Sequence, residues 1–278
     1  MELQGRRALV TGGGRGIGRA IAGALARAGA RVALVARTRS ELEETAREVA
    51  AAGGEAYIAP ADLAEPVQVE EAVGRVLAAW GGIDVLVNNA GMQGPIGPLH
   101  QVPVEAWTRT VQVNLIGTYL CTRLVLPGMI ERRYGKIVNL SGGGAVTARP
   151  WYSAYGAAKA GVVRLTETLA AELAGTGIDV NAMAPGAVNT RMLEETLAAG
   201  GAAGAQAAAE ARQQAESGGV DPELPARLVV FLASPRSDGL SGRLLSAVWD
   251  RWEELDIDQV MTSEAYTVRR LKLPQGGG

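Results

Sequence analysis

The sequence predicts an α/β fold: one domain built on a doubly wound parallel sheet of about seven strands, with a C-terminal extension. Short, continuously apolar runs alternate along the chain with longer stretches of amphipathic helical pattern. A glycine-rich turn follows the first apolar run, from Thr11 to Gly18. Because the chain has 278 residues, 47% of them hydrophobic, it can form one large domain with a substantial core.

The predicted elements follow one another in a regular order. Apolar runs bounded by turn residues predict strands at 6–10, 31–36, 55–59, 83–87, 136–141, 178–184 and 242–248. Helices are predicted at 17–28, 40–52, 66–80, 103–132, from Tyr155 onward, and at 225–233. Helical crossovers between parallel strands bring the carboxyl ends of the strands to one edge, where we expect the ligands to bind.

Charge and the rare residue types limit the possible functions. The net charge is −2 and the isoelectric point is about 5.7, so no basic surface suggests nucleic acid or an anionic membrane as a partner. The single cysteine, Cys121, allows no internal disulfide, and the single histidine, His100, leaves no plausible zinc site. We find no charged-then-apolar leader and no apolar run long enough to span a bilayer. These features predict a soluble cytoplasmic protein without a metal.

The glycine turn after the first strand suits a phosphate group. Gly12, Gly16 and Gly18 remove side chains where the backbone must approach a pyrophosphate, and the helix from Ile17 presents free N–H groups to that anion. The spacing G-x-x-x-G-x-G differs from the dinucleotide fingerprint G-x-G-x-x-G, so the turn alone is a weak signal. Placed between a strand and a helix, it predicts a Rossmann-type nucleotide site.

The residue after the second strand bears on the choice of cofactor. A site for NAD usually has a carboxylate about 20 residues beyond the glycines, where it bonds the ribose 2′-hydroxyl. This sequence has Arg37 at that place, and Arg15 in the glycine turn offers a second cation for a 2′-phosphate. We therefore favour NADP(H), while NAD(H) stays possible. The alternative is that Arg37 is an ordinary solvated arginine.

A tyrosine and a lysine four residues apart, Tyr155 and Lys159, mark the predicted reaction centre. Side chains at that spacing share one face of a helix. A cation about 4 Å away, at an effective dielectric of about 20, would favour the phenolate by about 4 kcal/mol. We expect Lys159 to lower the pKa of Tyr155 toward working pH, so that the hydroxyl acts as general acid and base. Taken alone, the two residues are better interpreted as an ordinary surface pair.

Four further segments overturn that interpretation, and the sequence resembles the short-chain dehydrogenase/reductase family, in particular members similar to 3-oxoacyl-[acyl-carrier-protein] reductase. The segments are Thr11–Gly18, Asn88–Gly91, Asn114 and Pro185–Gly186. The resemblance covers roughly residues 5 to 248. It implies that the cofactor is contacted by Gly12, Arg15, Gly16, Ile17, Gly18, Arg37, Asp62, Leu63, Asn89, Ala90, Gly91, Tyr155, Lys159, Pro185, Gly186, Val188 and Thr190.

The resemblance also implies roles and an assembly. Lys159 would grip the nicotinamide ribose, and Asn114 would kink its helix and hold a water that relays protons. In the family, the Asn114 helix and the Tyr155 helix form a subunit interface, which implies a homotetramer or homodimer. From the residues alone, Asn114 is an amide in an apolar helix that needs a partner, because leaving it unsatisfied costs about 1 to 3 kcal/mol.

The end of the fifth strand departs from the family pattern. The usual ending, Ile-Val-Asn-Ile-Ser-Ser, carries a second serine that hydrogen-bonds the substrate carbonyl, whereas this chain has Gly142 at that position. Ser141 would point to the opposite side of an extended strand unless the following glycines redirect it. Ser141 substitutes for the missing serine, or Thr147 or Ser153 does, or the chain lacks this donor. We place Ser141 first and include it in the catalytic set.

Two regions are expected to shape the substrate end of the site. Arg191 to Val220 is rich in alanine and glycine and is interpreted as a mobile lid, with an inert helical insertion as the alternative. Residues 1–248 are expected to form the enzyme domain. Residues 249–278 would be an extension that packs on its own subunit or reaches a neighbour's cleft; it carries a basic run at 269–272, and its last four residues are predicted to be disordered.

The sequence therefore predicts an oxidoreductase that reduces a carbonyl with NADPH, or performs the reverse alcohol oxidation. Its small-molecule partner would be a ketone, a sugar or a 3-oxoacyl compound. The alternative is a protein of the same fold that binds the cofactor as a regulator or scaffold, with weak or no turnover. Gly142 supports this alternative, whereas the retained Tyr155, Lys159 and Asn114 speak against it.

Overall fold

A seven-stranded parallel sheet forms the centre of the computed structural model, which describes residues 1–269. The strands are β1 (Arg7–Thr11), β2 (Arg31–Val35), β3 (Ala56–Ile58), β4 (Val85–Asn88), β5 (Gly135–Leu140), β6 (Ile178–Ala184) and β7 (Leu244–Ser246). Their order across the sheet is β3-β2-β1-β4-β5-β6-β7, and each neighbouring pair is parallel. Since the order reverses between β1 and β4, the predicted doubly wound α/β fold is confirmed.

Ten α-helices accompany the sheet in the described part of the chain. They are α1 (Gly16–Arg27), α2 (Arg39–Ala51), α3 (Pro66–Trp80), α4 (Val104–Val111), α5 (Gly117–Arg132), α6 (Ser153–Glu172), α7 (Arg191–Ala199), α8 (Ala205–Ser217), α9 (Glu223–Ala233) and α10 (Ile257–Met261). Along β1, Ala8 and Val10 pack with α1 and α9, whereas Leu9 packs on the opposite face with α3 and α5. Both faces of the strand are buried, which explains its continuously apolar sequence.

One predicted helix is interrupted. The stretch expected to run from 103 to 132 is divided into α4, a π-helical turn at Gln112–Ile116 and α5. Asn114 lies in this wider turn and is fully buried. Its side-chain oxygen accepts a hydrogen bond from the Met92 amide at 2.9 Å, and its side-chain nitrogen donates to the Met92 carbonyl at 2.8 Å. The partner that the buried amide requires is therefore the backbone of the loop after β4.

The same stretch, Val104–Arg132, is long and apolar enough to cross a membrane by length and composition. This corrects the expectation that no run is long enough, and the reason is that the π-helical turn joins α4 and α5 into 29 residues. Core helices of soluble proteins pass the same test, and Cys121, Val125 and Met129 of α5 are buried in the core here. The finding is therefore weak evidence for a membrane span.

The C-terminal extension packs on its own chain as far as residue 269. The amide of Leu244 in β7 donates to the carbonyl of Tyr266 at 2.7 Å, so the extension lies along the edge of the sheet. Arg269 pairs with Glu167 of α6 at 2.8 Å. Of the two expected arrangements, these residues adopt the first. The predicted basic residues beyond Arg269 and the predicted disorder of the last four residues lie outside the described residues.

Candidate active site

A cleft of about 1800 Å³ lies at the carboxyl ends of the strands, where the strand order reverses. The fold brings every predicted site residue except Asn114 to its wall. The residues concerned are Gly12, Arg15, Gly16, Ile17, Gly18, Arg37, Asp62, Leu63, Asn89, Ala90, Gly91, Ser141, Tyr155, Lys159, Pro185, Gly186, Val188 and Thr190. They come from seven separate chain segments, so this single wall is a product of the sheet topology.

The turn between β1 and α1 leaves no room for a side chain at Gly12 or Gly18. A Cβ on Gly18 would overlap the Gly12 carbonyl group, and a Cβ on Gly12 would lie 2.8 Å from the Asn89 side-chain nitrogen. Gly12 and Gly16 also have φ angles of +66° and +53°, which favour glycine. Among residues 1–269, no side chain caps the N-terminus of α1, so its first N–H groups are available to an anion. This cradle fits the pyrophosphate of a dinucleotide.

The segment after β4 braces the glycine turn. The Asn89 side chain donates to the Thr11 carbonyl at 2.8 Å and to the Gly12 carbonyl at 3.2 Å. The Ala90 amide donates to the Thr11 hydroxyl at 3.0 Å. These bonds cross the sheet between β1 and β4, so they hold the two sides of the cleft floor together.

The cations expected at the far end of the cleft have different surroundings. Arg15 pairs with Glu41 of α2 at 3.2 Å, and Asp62 pairs with Arg109 at 2.6 Å. Arg37 is exposed on the cleft wall, and within residues 1–269 no carboxylate lies within ion-pair distance of it. A Cβ on Gly14 would lie 2.9 Å from the Glu41 Cβ, so this carboxylate stands directly beside the turn. The second cation, Arg15, is thus already shared with an acid.

Tyr155 and Lys159 lie on α6 at the floor of the cleft, 6% and 3% exposed. The tyrosine ring presses against Gly142, where a Cβ would overlap the hydroxyl oxygen and lie 3.0 Å from Cζ. The Lys159 Nζ donates to the Leu140 carbonyl at 2.7 Å. It lies 5.8 Å from the centroid of the Tyr155 ring. The helical spacing therefore brings the two side chains together, as predicted.

The electrostatics of this pair differ from the expectation. Burial raises the pKa of Tyr155, and the cation that opposes this rise is Arg149. Burial lowers the pKa of Lys159 to about 8. The prediction that Lys159 brings the pKa of Tyr155 toward neutrality is wrong for this arrangement. The loss of hydration at the cleft floor outweighs the attraction, and the amine is directed to the Leu140 carbonyl.

Asn114 lies behind the wall that carries Gly91. A Cβ on Gly91 would lie 2.8 Å from the Asn114 side-chain oxygen and 3.6 Å from the Lys159 Nζ. Both polar groups therefore approach the same glycine. The structure brings Asn114 near the lysine, with its amide bonded to the Met92 backbone.

Ser141, Thr147 and Ser153, the candidates to replace the serine missing at Gly142, differ in their position relative to the cleft. The Ser141 Oγ is buried on the cleft wall and has no hydrogen-bond partner in the described part of the chain. Thr147 also lines the cleft and is exposed. The Ser153 Oγ lies off the wall and accepts a bond from the Trp107 indole at 3.2 Å. Ser141 therefore has the free hydroxyl nearest to the end of β5.

Sequence reasoning did not single out two residues of the substrate end. Arg149 follows the three glycines after Ser141 and lines the cleft. Trp151 has a φ of +73°, unusual for a bulky side chain, and its indole lies against Gly204 beside α8. The helices α7 and α8 form one side of the cleft, which is where the lid was expected. Only the run of three glycines hinted that this loop approaches the site.

Between residues 1 and 269, no group of three His, Cys, Asp or Glu side chains is arranged to hold a metal ion.

Comparison with known proteins decides the family. The model of the short chain dehydrogenase family matches residues 6–200. The chain belongs to the short-chain dehydrogenase/reductase family. It is 35% identical to a 3-oxoacyl-[acyl-carrier-protein] reductase of Thermotoga maritima, over 88% of this chain and 97% of that protein. The predicted family and the predicted enzyme class, a dehydrogenase/reductase acting on hydroxyl or carbonyl groups, are confirmed.

Solved structures of the short-chain dehydrogenase/reductase family agree with the fold. A variant of actinorhodin polyketide ketoreductase with NADPH has a TM-score of 0.81 and 36% identity, and the match covers 87% of this chain and 95% of that chain. Xylitol dehydrogenase with NAD⁺ bound has a TM-score of 0.81 and 31% identity, over 88% of this chain and 98% of that chain. The family binds NAD(P), and solved relatives include complexes with either dinucleotide.

Proposed function

We propose that this chain reduces a carbonyl compound with NADPH, or oxidises the corresponding alcohol with NADP⁺, and that Tyr155 transfers the proton. The observation that carries the proposal is the buried Tyr155–Lys159 pair at the floor of a cleft whose other end is the glycine turn. A buried hydroxyl beside the cofactor site is positioned to exchange a proton with a substrate oxygen. The nicotinamide supplies or accepts the hydride when bound.

Each polar group at the floor has a distinct part in this proposal. Lys159 would bind the nicotinamide ribose of the cofactor and present a positive charge to Tyr155. Asn114 would hold a water that connects the lysine to solvent. Ser141 offers its unpaired hydroxyl to the substrate oxygen. The segment from Pro185 to Thr190, after β6, lines the cleft and would hold the nicotinamide carboxamide.

The preference for NADP(H) rests on Arg37. Its exposed guanidinium has no carboxylate partner in residues 1–269, so it is available to a 2′-phosphate. Glu41 is the observation in favour of NAD(H), because a carboxylate beside the glycine turn can accept a bond from a ribose hydroxyl. Its pairing with Arg15 weakens this alternative.

The experiment that tests the function is turnover of NADPH with a panel of ketones, sugars and 3-oxoacyl thioesters. Tyr155→Phe should abolish turnover and leave NADPH affinity nearly unchanged, because only the hydroxyl is lost. Tyr134→Phe is the matched control, since Tyr134 also has a buried hydroxyl and lies outside the cleft. Activity of Tyr155→Phe above a tenth of wild type would contradict the assignment.

The alternative function is cofactor binding without efficient turnover, as a regulator or scaffold. It keeps its support from Gly142, which carries no hydroxyl for the substrate. The same panel separates the two functions. NADPH binding in the absence of turnover with any acceptor would favour the regulator, whereas turnover that depends on Tyr155 would exclude it.

We also propose a homodimer or homotetramer, formed in the cytoplasm through α5 and α6. An apolar groove of about 300 Å³ lies between these helices, lined by Tyr119, Leu126, Ile130, Leu165 and Leu169 among others. Tyr119 and Ile130 are exposed, 46% and 44%, and both line this groove, so they form one apolar patch with it. Analytical ultracentrifugation should show an oligomer that Ile130→Asp dissociates, and a monomeric wild type would contradict the proposal. Cell fractionation tests the compartment.

The division into an enzyme domain, 1–248, and an extension, 249–278, stays a proposal, as does the mobility of the lid at 191–220. Limited proteolysis tests both. Cleavage within the lid should be suppressed by NADP⁺ with an alcohol product, and cleavage after residue 248 should leave a folded core. Cleavage that is indifferent to ligand would contradict a lid.

A further inference from the structure

Arg149 is a cation built into the substrate side of the cleft. Its guanidinium lies over the Tyr152 ring at 3.8 Å from the centroid, and Tyr152 is fully buried. On its other side are the three glycines that follow Ser141, where a Cβ on Gly144 would lie 3.2 Å from the Arg149 Cβ. A Cβ on Gly143 would lie 3.8 Å from the Arg149 Nη1. The half-buried side chain is therefore held between a rigid ring and the backbone beside the reaction centre.

The ion pairs within residues 1–269 do not include Arg149. In the described part of the chain, no carboxylate lies within ion-pair distance of Arg149, whereas two other arginines of the cleft, Arg15 and Arg191, pair with Glu41 and Glu195. A partly desolvated guanidinium is costly when it is unpaired. Its hydrogen-bonding groups are thus available to a ligand in the cleft.

Besides Glu41, Asp62 and Glu195, which pair with other arginines, three further carboxylates line the same cleft without pairing with Arg149. Glu194 and Glu210 are exposed on α7 and α8, where solvent screens them. The Asp250 carboxylate accepts a hydrogen bond from the Ser246 amide at 2.6 Å. These acids do not neutralise the Arg149 guanidinium beside Gly144.

The cation also lies within electrostatic reach of the proton carrier. Among the charged groups near Tyr155, Arg149 is the one that opposes the rise in the tyrosine pKa. Both side chains flank the glycines that follow Ser141, since Tyr155 contacts Gly142 and Arg149 contacts Gly144. If Arg149 held an anionic group of the substrate, that group would therefore lie near the substrate oxygen that Tyr155 protonates.

We propose that the substrate carries a carboxylate close to its carbonyl or hydroxyl group, and that Arg149 selects it. A guanidinium presents two parallel N–H groups to a carboxylate, and the stacked Tyr152 ring fixes its plane before binding. The substrate class is thus a short oxo acid or hydroxy acid. This inference rests on the proposed function, because it concerns the substrate of that reaction.

The experiment compares acids with their uncharged esters. Kinetics with NADPH are measured for 2-oxobutanoate, 3-oxobutanoate and 4-oxopentanoate and for the methyl ester of each, with wild type, Arg149→Gln and Arg149→Lys. Binding of each compound to the protein saturated with NADP⁺ is measured by calorimetry, which does not require turnover. Arg123→Gln is the matched control, because this arginine of α5 is exposed, lies outside the cleft and pairs with Glu70 at 4.0 Å.

We expect wild type to prefer at least one acid to its ester by tenfold or more in kcat/KM. Arg149→Gln should remove this preference mainly through KM, Arg149→Lys should restore part of it, and Arg123→Gln should keep it. Esters that react or bind as well as the acids in wild type would overturn the proposal. An equal loss for acids and esters in Arg149→Gln, with a shifted pH profile, would also overturn it and assign the cation to Tyr155.

Failure of the proposed function gives a different result. If no compound is reduced but an acid binds the NADP⁺ complex through Arg149, the selection of anions stands and the reductase assignment falls. If neither acids nor esters bind or react while other carbonyl compounds are reduced, the selection of anions falls and the reductase stands. Melting temperature and NADPH affinity of each variant show whether Arg149 acts only on folding.

Discussion

Gly142→Ala should disable the enzyme without preventing it from folding. The new Cβ would overlap the Tyr155 hydroxyl oxygen and lie 3.0 Å from Cζ and 3.2 Å from Cε1. To restore contacts of about 3.5 Å, the ring must retreat by roughly 1 Å. A displacement of that size at a reacting group costs on the order of 100-fold in rate. The overlapping atoms belong to the end of the Tyr155 side chain. The unfolding free energy should therefore fall by about 1 to 3 kcal/mol, which is typical of overpacking.

Gly143→Ala is the control for this prediction. The neighbouring glycine is exposed, and a Cβ on it would meet nothing closer than the Arg149 Nη1 at 3.8 Å. Its kcat should stay within about threefold of wild type, because the contact is an ordinary one.

The assay is kcat with NADPH and the best carbonyl acceptor, with NADPH affinity from fluorescence and the melting temperature as separate readouts. Gly142→Ala should lose kcat while NADPH affinity stays near wild type, since the glycine turn at β1 is untouched. Gly142→Ser adds the same Cβ and should behave alike. A serine variant with wild-type or raised turnover would refute the reasoning, because the cleft would then accept a side chain at this position.

Three further predictions follow from charge and hydrogen bonding. Arg37→Asp should shift the NADPH-to-NADH preference toward NADH by about 10- to 100-fold, the worth of a charge-assisted bond of about 1.5 to 3 kcal/mol; unchanged selectivity would show a merely solvated arginine. Burial lowers the pKa of Lys159 to about 8 from its ordinary 10.5, so between these values the unfolded chain binds a proton that the folded chain does not, and stability rises with pH. Between these pH values, the unfolding free energy of wild type should rise by about 3 kcal/mol more than that of Lys159→Met. An equal change in the two proteins, measured by denaturation at each pH, would contradict the prediction. Ser141→Ala should lower kcat by at least tenfold if its hydroxyl bonds the substrate oxygen, and a smaller loss at unchanged KM would remove it from the catalytic set.

The fold could be predicted because its determinants are local and repeated. In β1, Ala8, Leu9 and Val10 are all fully buried, and such a run between turn residues is typical of a strand covered on both faces. The glycine turn was predictable for a similar reason. A Cβ on Gly18 is excluded by the backbone of Gly12, only six residues away, so the constraint is visible in the spacing itself.

The interruption of the long helix could not be placed as precisely. The sequence shows Asn114 in an apolar stretch, which requires a partner but does not say which one. The partner is the Met92 backbone, 22 residues earlier, and the π-helical turn widens the helix at that point. Such a contact depends on where the loop after β4 passes, which is a property of the whole sheet.

The pKa shift of Tyr155 could not be predicted from the sequence either. The spacing of Tyr155 and Lys159 places both on one face of α6, but a Coulomb estimate in a uniform medium omits the cost of burial, which dominates here. The cation that acts on the hydroxyl, Arg149, comes from a loop that no helical spacing connects to it. The absent side chain at Gly142 lets the tyrosine rest against that loop. The departure from the family pattern and the new cation thus belong to one local arrangement, in which a change at either position alters the surroundings of the same hydroxyl.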